Sequence, residues 1–303
     1  MIQNNIIFII ILILFSSSSY SQEKEEAYDY YKKAFLILNN TINNSLSKEL
    51  SLEALYYAEK AIEMDSTKSI FYRVNGTCYV HLKEYDKAIE KFDKAIQLDS
   101  TNGLAWIGKA ISYENSNRFE LAEQNYNEAF KYEKKKELVY YNLGLLYEKW
   151  GKIDFAIEKY NNAISIDNKY LNAYGNRGNL YLKQNKVDLA IKDFDFVLNI
   201  NPKEKNALNN RGLCKYYLND FLGAIKDFEN ALEIKLGDSF NQNFDTDKYS
   251  FNNIANCYYE LKDFNKACEF WNKAIENGYI YKQEWKKIYN IENPKVLIEK
   301  HCK

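Results

Sequence analysis

Small and aromatic residues recur along the chain at a fixed interval. Alanine stands at five positions spaced 34 residues apart and at a sixth position 43 residues further on: Ala88, Ala122, Ala156, Ala190, Ala224 and Ala267. An aromatic residue follows each alanine four places later: Phe92, Tyr126, Tyr160, Phe194, Phe228 and Trp271. Because residues four apart share one face of an α-helix, the pattern predicts an amphipathic helix in every copy.

A further helix is predicted before each of these, and a tight turn between the two. A small residue marks the preceding helix twelve places before the alanine: Gly76, Ala110, Gly144, Gly178, Gly212 and Ala255. The predicted turn residues stand five places before the alanine: Lys83, Asn117, Gly151, Asn185, Asn219 and Lys262. Gly and Asn are the residues that best tolerate a left-handed backbone at a helix end. Each copy is therefore predicted to be a helix–turn–helix hairpin.

The period and the residue skeleton resemble the tetratricopeptide repeat family. The 34-residue spacing and the order Gly/Ala, Ala, aromatic, Ala match that family, and Pro202 lies where the family often has proline. One hairpin cannot bury its apolar face alone, whereas a stack can. The resemblance implies an all-α fold, a right-handed α-solenoid of stacked helix–turn–helix hairpins with a C-terminal capping helix.

The copies divide the chain into consecutive segments. They are a signal peptide (1–21), a degenerate first repeat (22–68), five contiguous repeats (69–238), an insertion loop (239–247), a last repeat (248–281), and a capping helix with its tail (282–303). A terminal helix is expected because a repeat array has to cover its last apolar face.

The N-terminal segment has the pattern of a secretory signal peptide. Residues 6–15 are ten consecutive apolar residues, whereas a membrane-spanning helix needs about 20. A serine-rich run follows and supplies small residues for cleavage before Gln22. We expect an exported chain in a periplasmic or extracellular setting. An uncleaved membrane anchor is the alternative, and membrane contact is expected only in that case.

Charge and residue types argue against several classes of function. The net charge of −1 provides no basic field for nucleic acid. The two histidines, His81 and His301, are too far apart in sequence for a metal site of the usual spacing. The chain has no phosphate-binding loop and no nucleophile elbow. We therefore predict that the protein is not an enzyme and needs no cofactor.

The cysteines fall mostly at core positions. Cys78, Cys214 and Cys257 each lie two places after the small residue of the first helix, where a small buried side chain is expected. Cys268 follows in the second helix of the hairpin that contains Cys257. Either both are buried thiols or they form a Cys257–Cys268 disulfide. Cys302 is left unassigned.

The resemblance also implies a place for a ligand. In the family, the first helix of each hairpin lines the concave side of the superhelix, and its non-core residues form the binding groove. Asparagine occupies the sixth position of four repeats: Asn142, Asn176, Asn210 and Asn253. A primary amide donates and accepts hydrogen bonds at once, which suits a peptide backbone. Further groups are predicted on the same face: Asn179, Asn209, Asn256, Tyr216 and Tyr259.

These features together predict a binding protein. We expect a scaffold that binds a protein or an extended peptide through its concave groove, in the assembly of an envelope or extracellular complex. Two alternatives stay open, a structural solenoid that associates with itself and a protein that binds carbohydrate through the Tyr- and Asn-lined groove.

Overall fold

The computed structural model describes residues 23–39, 46–234, 247–281 and 293–302. These residues form helices joined by short turns, with no strand among them. The predicted signal peptide (1–21) lies outside the described residues, as does nearly all of the predicted insertion. Asp247, assigned to the insertion loop, is instead the first residue of a helix.

The helices fall into two compact units, Met1–Ile166 and Asp167–Lys303. The first unit contains α1 (23–39), α2 (Lys48–Met64), α3 (Ser69–His81), α4 (Tyr85–Leu98), α5 (Gly103–Asn115), α6 (Phe119–Tyr132), α7 (Lys136–Lys149) and α8 (Ile153–Ile166). The second unit contains α9 (Leu171–Lys183), α10 (Val187–Ile200), α11 (Lys205–Tyr217), α12 (Phe221–Glu233), α13 (Asp247–Glu260), α14 (Phe264–Glu276) and α15 (Pro294–His301). From α1 to α14, odd-numbered helices open the hairpins and even-numbered helices close them.

The hairpin turns have the predicted left-handed residue. Lys83, Asn117, Asn185, Asn219 and Lys262 have φ between 58° and 64°, and Gly151 has φ 79°. At the first of these turns, the Lys83 N–H donates to the Val80 carbonyl at 3.0 Å and the Glu84 N–H donates to the Tyr79 carbonyl at 2.9 Å. This pair of bonds satisfies the last carbonyls of the helix. The other five turns repeat it.

The core lies between the two helices of each hairpin, where the pattern placed it. Each of the six aligned alanines, from Ala88 to Ala267, is fully buried, and each aromatic residue four places later is at most 1% exposed. Small residues on the opposing helix make room for these rings. A Cβ added at Gly144 would lie 2.4 Å from the Tyr160 ring, and one at Gly178 would lie 2.9 Å from the Phe194 ring. The all-α stack of helical hairpins is thus confirmed.

Hairpins also pack against their neighbours within each unit. In the first unit α2 packs on α3 and α4 on α5, and in the second unit α10 packs on α11 and α12 on α13. Residues of the predicted degenerate repeat form the same kind of hairpin, since Ala34 of α1 shares a core cluster with Ala54 and Ala58 of α2. At the other end, α15 packs on α14 and buries Leu297 against Trp271.

Candidate functional site

The predicted asparagines of the second unit lie on the three odd-numbered helices that open its hairpins. Two of them are on each of α9, α11 and α13, and all six are half-buried: Asn176, Asn179, Asn209, Asn210, Asn253 and Asn256. The structure therefore brings amide groups to the same helices in successive hairpins. Their hydrogen bonds differ, and these differences decide which of them can meet a ligand.

One pair joins neighbouring hairpins directly. The Asn210 side chain on α11 donates from Nδ2 to Oδ1 of Asn179 on α9 over 2.7 Å. A residue at the sixth repeat position thus reaches the ninth position of the preceding odd-numbered helix. Each amide has further donor or acceptor capacity beyond this bond, because a primary amide has two N–H groups and a carbonyl oxygen.

Two other asparagines hold helices together through their carbonyl oxygens. Asn209 Oδ1 accepts from the Ser250 hydroxyl of α13 at 2.8 Å. Asn256 Oδ1 accepts from the indole N–H of buried Trp271 at 3.1 Å. Both oxygens therefore have a structural role, and the amide N–H groups of these residues are the groups with most capacity left to meet a ligand.

Asn253 is different, because its side chain makes no hydrogen bond to another residue within the described part of the chain. Its helix α13 is the last odd-numbered helix that opens a hairpin. An amide that makes no hydrogen bond within the protein can donate to and accept from a polar ligand. Asn253 is thus the most available member of the predicted set in the second unit.

The two predicted tyrosines are packing residues as well as surface residues. Tyr216 is half-buried and meets Phe221 edge-on, with the ring centroids 5.6 Å apart. Burial raises the pKa of the Tyr216 hydroxyl to about 12. Tyr259 contacts Trp271 at 5.6 Å and His301 at 5.3 Å. Both rings are held by neighbouring aromatic groups.

Two buried ion pairs, which the sequence interpretation missed, fix the hairpins that carry these amides. The Arg177 guanidinium binds the Asp193 carboxylate in bidentate fashion at 2.9 and 2.6 Å. The Arg211 guanidinium binds Asp227 at 2.8 and 2.7 Å and also reaches Asp195 at 2.8 Å. The signal was present in the sequence, as both arginines and both buried aspartates recur 34 residues apart.

An open cavity lies among the same hairpins. It has a volume of about 560 Å³ and is lined by residues of α10, α11 and α12, among them Lys192, Phe196 and Arg211. None of the predicted site residues lines it. The Arg211 guanidinium is already bound by Asp195 and Asp227, so this arginine offers no unpaired charge to a ligand in the cavity.

The odd-numbered helices of the first unit carry a different surface. Asn142 on α7 is half-buried and makes no hydrogen bond to another described residue. Helices α1, α3 and α5 carry no sixth-position asparagine of the predicted set, and their non-core residues include aromatic and aliphatic side chains and the half-buried Arg73. Of the four asparagines at the sixth repeat position, Asn142 is the one that lies in the first unit.

Both alternatives for Cys257 and Cys268, two buried thiols or a disulfide between them, are wrong. Cys268 on α14 is bonded to Cys302, which follows α15, with their Cα atoms 5.7 Å apart. Cys257 is a buried free thiol that packs with Ile225 and Phe228 of α12. The two cysteines of the α13–α14 hairpin thus face different neighbours, which prevents a bond between them. Cys78 and Cys214 are buried free thiols, as predicted.

The described residues contain no group of three or more His, Cys, Asp or Glu side chains placed to hold a metal ion. Within the same ranges, no helix combines the length and the apolar character needed to cross a bilayer.

Four segments match family models of one repeat. Models described as tetratricopeptide repeat match residues 70–102, 171–204 and 249–277, and a model described as TPR repeat matches residues 149–185. The segments 70–102, 171–204 and 249–277 coincide with the hairpins α3–α4, α9–α10 and α13–α14, whereas 149–185 covers α8 and α9 of successive hairpins. A comparison with curated proteins finds no match.

Solved structures with the same fold include several bacterial proteins. A structure described as the functional characterization of Pseudomonas aeruginosa pilF has a TM-score of 0.59 and 15% identity, over 78% of this chain and 98% of that one. PilW, a type IV pilus biogenesis factor, has a TM-score of 0.57 and 18% identity over 73% and 98%. A tetratricopeptide repeat protein from Parabacteroides merdae has a TM-score of 0.55 and 15% identity over 94% and 100%. The chain is thus a tetratricopeptide repeat protein.

Proposed function

We propose that the protein is a non-catalytic scaffold whose odd-numbered helices in the second unit bind an extended segment of a partner protein. One observation carries this proposal. Half-buried amides occur on three successive odd-numbered helices, and the amide of Asn253 has no hydrogen-bond partner among the described residues. A peptide backbone offers N–H and C=O groups in alternation, and amide side chains can meet both.

The setting that we propose is the assembly of an envelope or extracellular complex. Two of the solved structures with this fold are the pilF structure and PilW, and the second is described as a pilus biogenesis factor. Both are similar to this chain in fold only, and PilW supports the proposal as a pilus biogenesis factor with this architecture. No nucleic acid, cofactor or metal is part of the proposal.

Export is a part of the proposal that two features support. The apolar run at residues 6–15 and the following serines have the pattern of a signal peptide. The Cys268–Cys302 disulfide fits an oxidising compartment, because cytosolic thiols are kept reduced. The mass of the protein purified from its native source tests this directly. A mature N-terminus at Gln22 is expected, and an intact Met1 in a soluble cytosolic fraction would contradict export.

Affinity capture from the native source tests the binding surface. The bait is the chain from Gln22 onward, compared with a variant that carries Asn176→Ala, Asn210→Ala and Asn253→Ala. The matched control changes three exposed asparagines on the even-numbered helices: Asn199→Ala, Asn230→Ala and Asn272→Ala. Circular dichroism and melting of all three baits verify that they fold alike.

If the odd-numbered helices bind the partner, the parent and control baits should capture it in similar amounts. The variant with Asn176→Ala, Asn210→Ala and Asn253→Ala should capture about tenfold less or none. Equal capture by all three baits would rule out this surface. Recovery of only an untagged copy of the chain would support self-association instead.

A further inference from the structure

Three odd-numbered helices of the first unit, α1, α3 and α5, carry aromatic and aliphatic side chains around a half-buried arginine, Arg73. We call this surface the α1–α5 face and define it by Tyr28, Tyr31, Phe35, Ile70, Arg73, Leu104 and Ile111. Tyr28 is 39% exposed, Phe35 40% and Leu104 45%. Large side chains on this face thus remain open to solvent.

The aromatic part of the face is a fixed group. The Tyr28 and Tyr31 rings contact the buried Phe71 ring with centroids 5.1 and 5.5 Å apart, and Tyr31 stacks on Phe35 at 5.8 Å. Phe71 is fully buried beneath them. Because these rings are already held in place, a ligand that covers them loses little side-chain entropy on binding.

Arg73 lies between the aromatic and the aliphatic part of the face. It belongs to α3, which packs on α5, and its guanidinium lies near the Tyr31 side chain of α1. Ile70 and Arg73 share one stripe of α3 because they are three residues apart. Leu104 and Ile111 occupy the corresponding stripe of α5. Apolar residues therefore lie on the helices to either side of α3.

The charge of Arg73 is not neutralised within the described chain. The protein has four arginines, and three of them bind aspartates: Arg118 with Asp86, Arg177 with Asp193, and Arg211 with Asp227. No described carboxylate lies within ion-pair distance of Arg73, which is half-buried. Burial lowers the pKa of its guanidinium, against the opposing effect of Tyr31. A half-desolvated guanidinium is complementary to a carboxylate, which it binds in a fork geometry.

We propose that the α1–α5 face binds a segment of a partner protein in which one Asp or Glu side chain pairs with Arg73 and apolar residues on both sides contact the aromatic and aliphatic groups. The carboxylate belongs to an internal side chain, because apolar surface continues on both sides of the guanidinium. The inference rests on the proposed peptide-binding function and extends it to the first unit with a defined ligand class.

Synthetic peptide pools test the assignment on the full-length chain. The first pool is acetyl-X-X-X-Glu-X-X-X-amide, where X is an equal mixture of Leu, Ile, Val and Phe, with a glycol tail for solubility. The second pool has Gln in place of Glu. Blocked ends remove the terminal carboxylate, so the side chain is the only acid. Calorimetric titration of the wild type is expected to show about tenfold tighter binding of the Glu pool.

Matched variants assign that preference to one residue. Arg73→Gln is expected to remove the preference for Glu, and Arg118→Gln, which removes an exposed guanidinium of the same unit, is expected to keep it. Leu104→Glu provides a second test at an exposed position that does not threaten folding. It places a carboxylate on the face and is expected to weaken the Glu pool by about tenfold relative to the Gln pool.

Equal affinity of the two pools for the wild type would overturn the assignment while leaving peptide binding in place. Loss of the preference in Arg118→Gln would also overturn it, as would an unchanged preference in both Arg73→Gln and Leu104→Glu. If neither pool binds, the inference fails, and the capture experiment with the asparagine variants decides separately whether the second unit binds a partner.

Discussion

The odd-numbered helices of the two units have the same types of residue at their core positions and differ in the residues that face away from the core. In the first unit, α1, α3 and α5 carry aromatic and aliphatic side chains there, around Arg73, which has no carboxylate partner among the described residues. In the second unit these helices carry amides, and buried Arg–Asp pairs hold the hairpins beneath them. Gly144 and Gly178 nevertheless meet the rings of Tyr160 and Phe194 in the same way. The comparison teaches that the hairpin skeleton does not dictate the chemistry of its face.

The buried aspartates of the second unit provide the largest expected contrast. Asp227→Ala would leave Arg211 and Lys215 without their shared buried carboxylate, and we expect the free energy of opening of α11 and α12 to fall by about 3 kcal/mol. The equivalent change in the first unit, Asn125→Ala, removes only a bond to the Leu121 carbonyl and should cost about 1 kcal/mol.

Native-state hydrogen exchange measures the free energy of opening of α11 and α12 in the second unit and of the hairpin that contains Asn125 in the first unit. A double variant, Arg211→Met with Asp227→Leu, is expected to recover part of the loss, because the buried Arg211–Asp227 pair is removed as a whole and only the more exposed partners, Lys215 and Asp195, lose an ion pair. Equal costs for Asp227→Ala and Asn125→Ala would show that the ion pairs do not distinguish the units.

The disulfide is the next largest difference, since it closes 34 residues of the second unit. Cys302→Ser is expected to lower the stability of α15 and α14 by about 2 to 4 kcal/mol, because the unfolded chain gains entropy. Limited proteolysis and exchange of α15 amides would report the change. The amides of α3 to α8 serve as the internal control, and a matching loss there would contradict a local effect.

Glycine substitutions test what the units have in common. Gly144→Ala and Gly178→Ala each place a methyl group against a buried ring, and we expect both to destabilise by about 1 to 3 kcal/mol. Gly175 lies in the same helix as Gly178, but nothing lies within 4 Å of an added Cβ. Gly175→Ala should therefore stabilise by up to about 1 kcal/mol. Thermal melting of the three variants checks both signs, and a gain from Gly178→Ala would refute the shared packing.

Glu114 of the first unit should give the smallest effect. Its carboxylate accepts from the Tyr126 hydroxyl at 2.9 Å, and burial raises its pKa above the ordinary value of 4.5. A raised pKa means that the folded state favours the protonated acid. Its contribution to stability is present below about pH 4.5 and is lost as the pH rises through the folded pKa.

Relative to Glu114→Gln, the wild type should therefore lose unfolding free energy between pH 4 and pH 7. Urea denaturation of both proteins across this range measures the difference. A difference that grows in favour of the wild type with rising pH would contradict the direction of the shift.

The sequence predicted the repeated parts of the molecule well because each prediction rested on several copies. The turn residues from Lys83 to Lys262 and the buried alanines follow from local backbone and packing requirements. The Cys268 partner could not be predicted in the same way, since it depends on where one non-repeated helix lies. Contacts such as Asn256 with Trp271 also depend on side-chain direction, which spacing alone does not determine.

The Arg–Asp pairs have a consequence for how such a chain can lengthen. Arg177 and Asp193 lie on opposite helices of one hairpin, 16 residues apart, and Arg211 and Asp227 repeat the arrangement. A gene duplication that copies a whole hairpin carries both partners into the new copy. Recombination within the turn would separate them and leave a charge without its partner in the interior. In this part of the protein the hairpin is therefore the unit that can be duplicated without loss of an ion pair. A crossover within a hairpin would destabilise the product, because a buried charge would lack its partner.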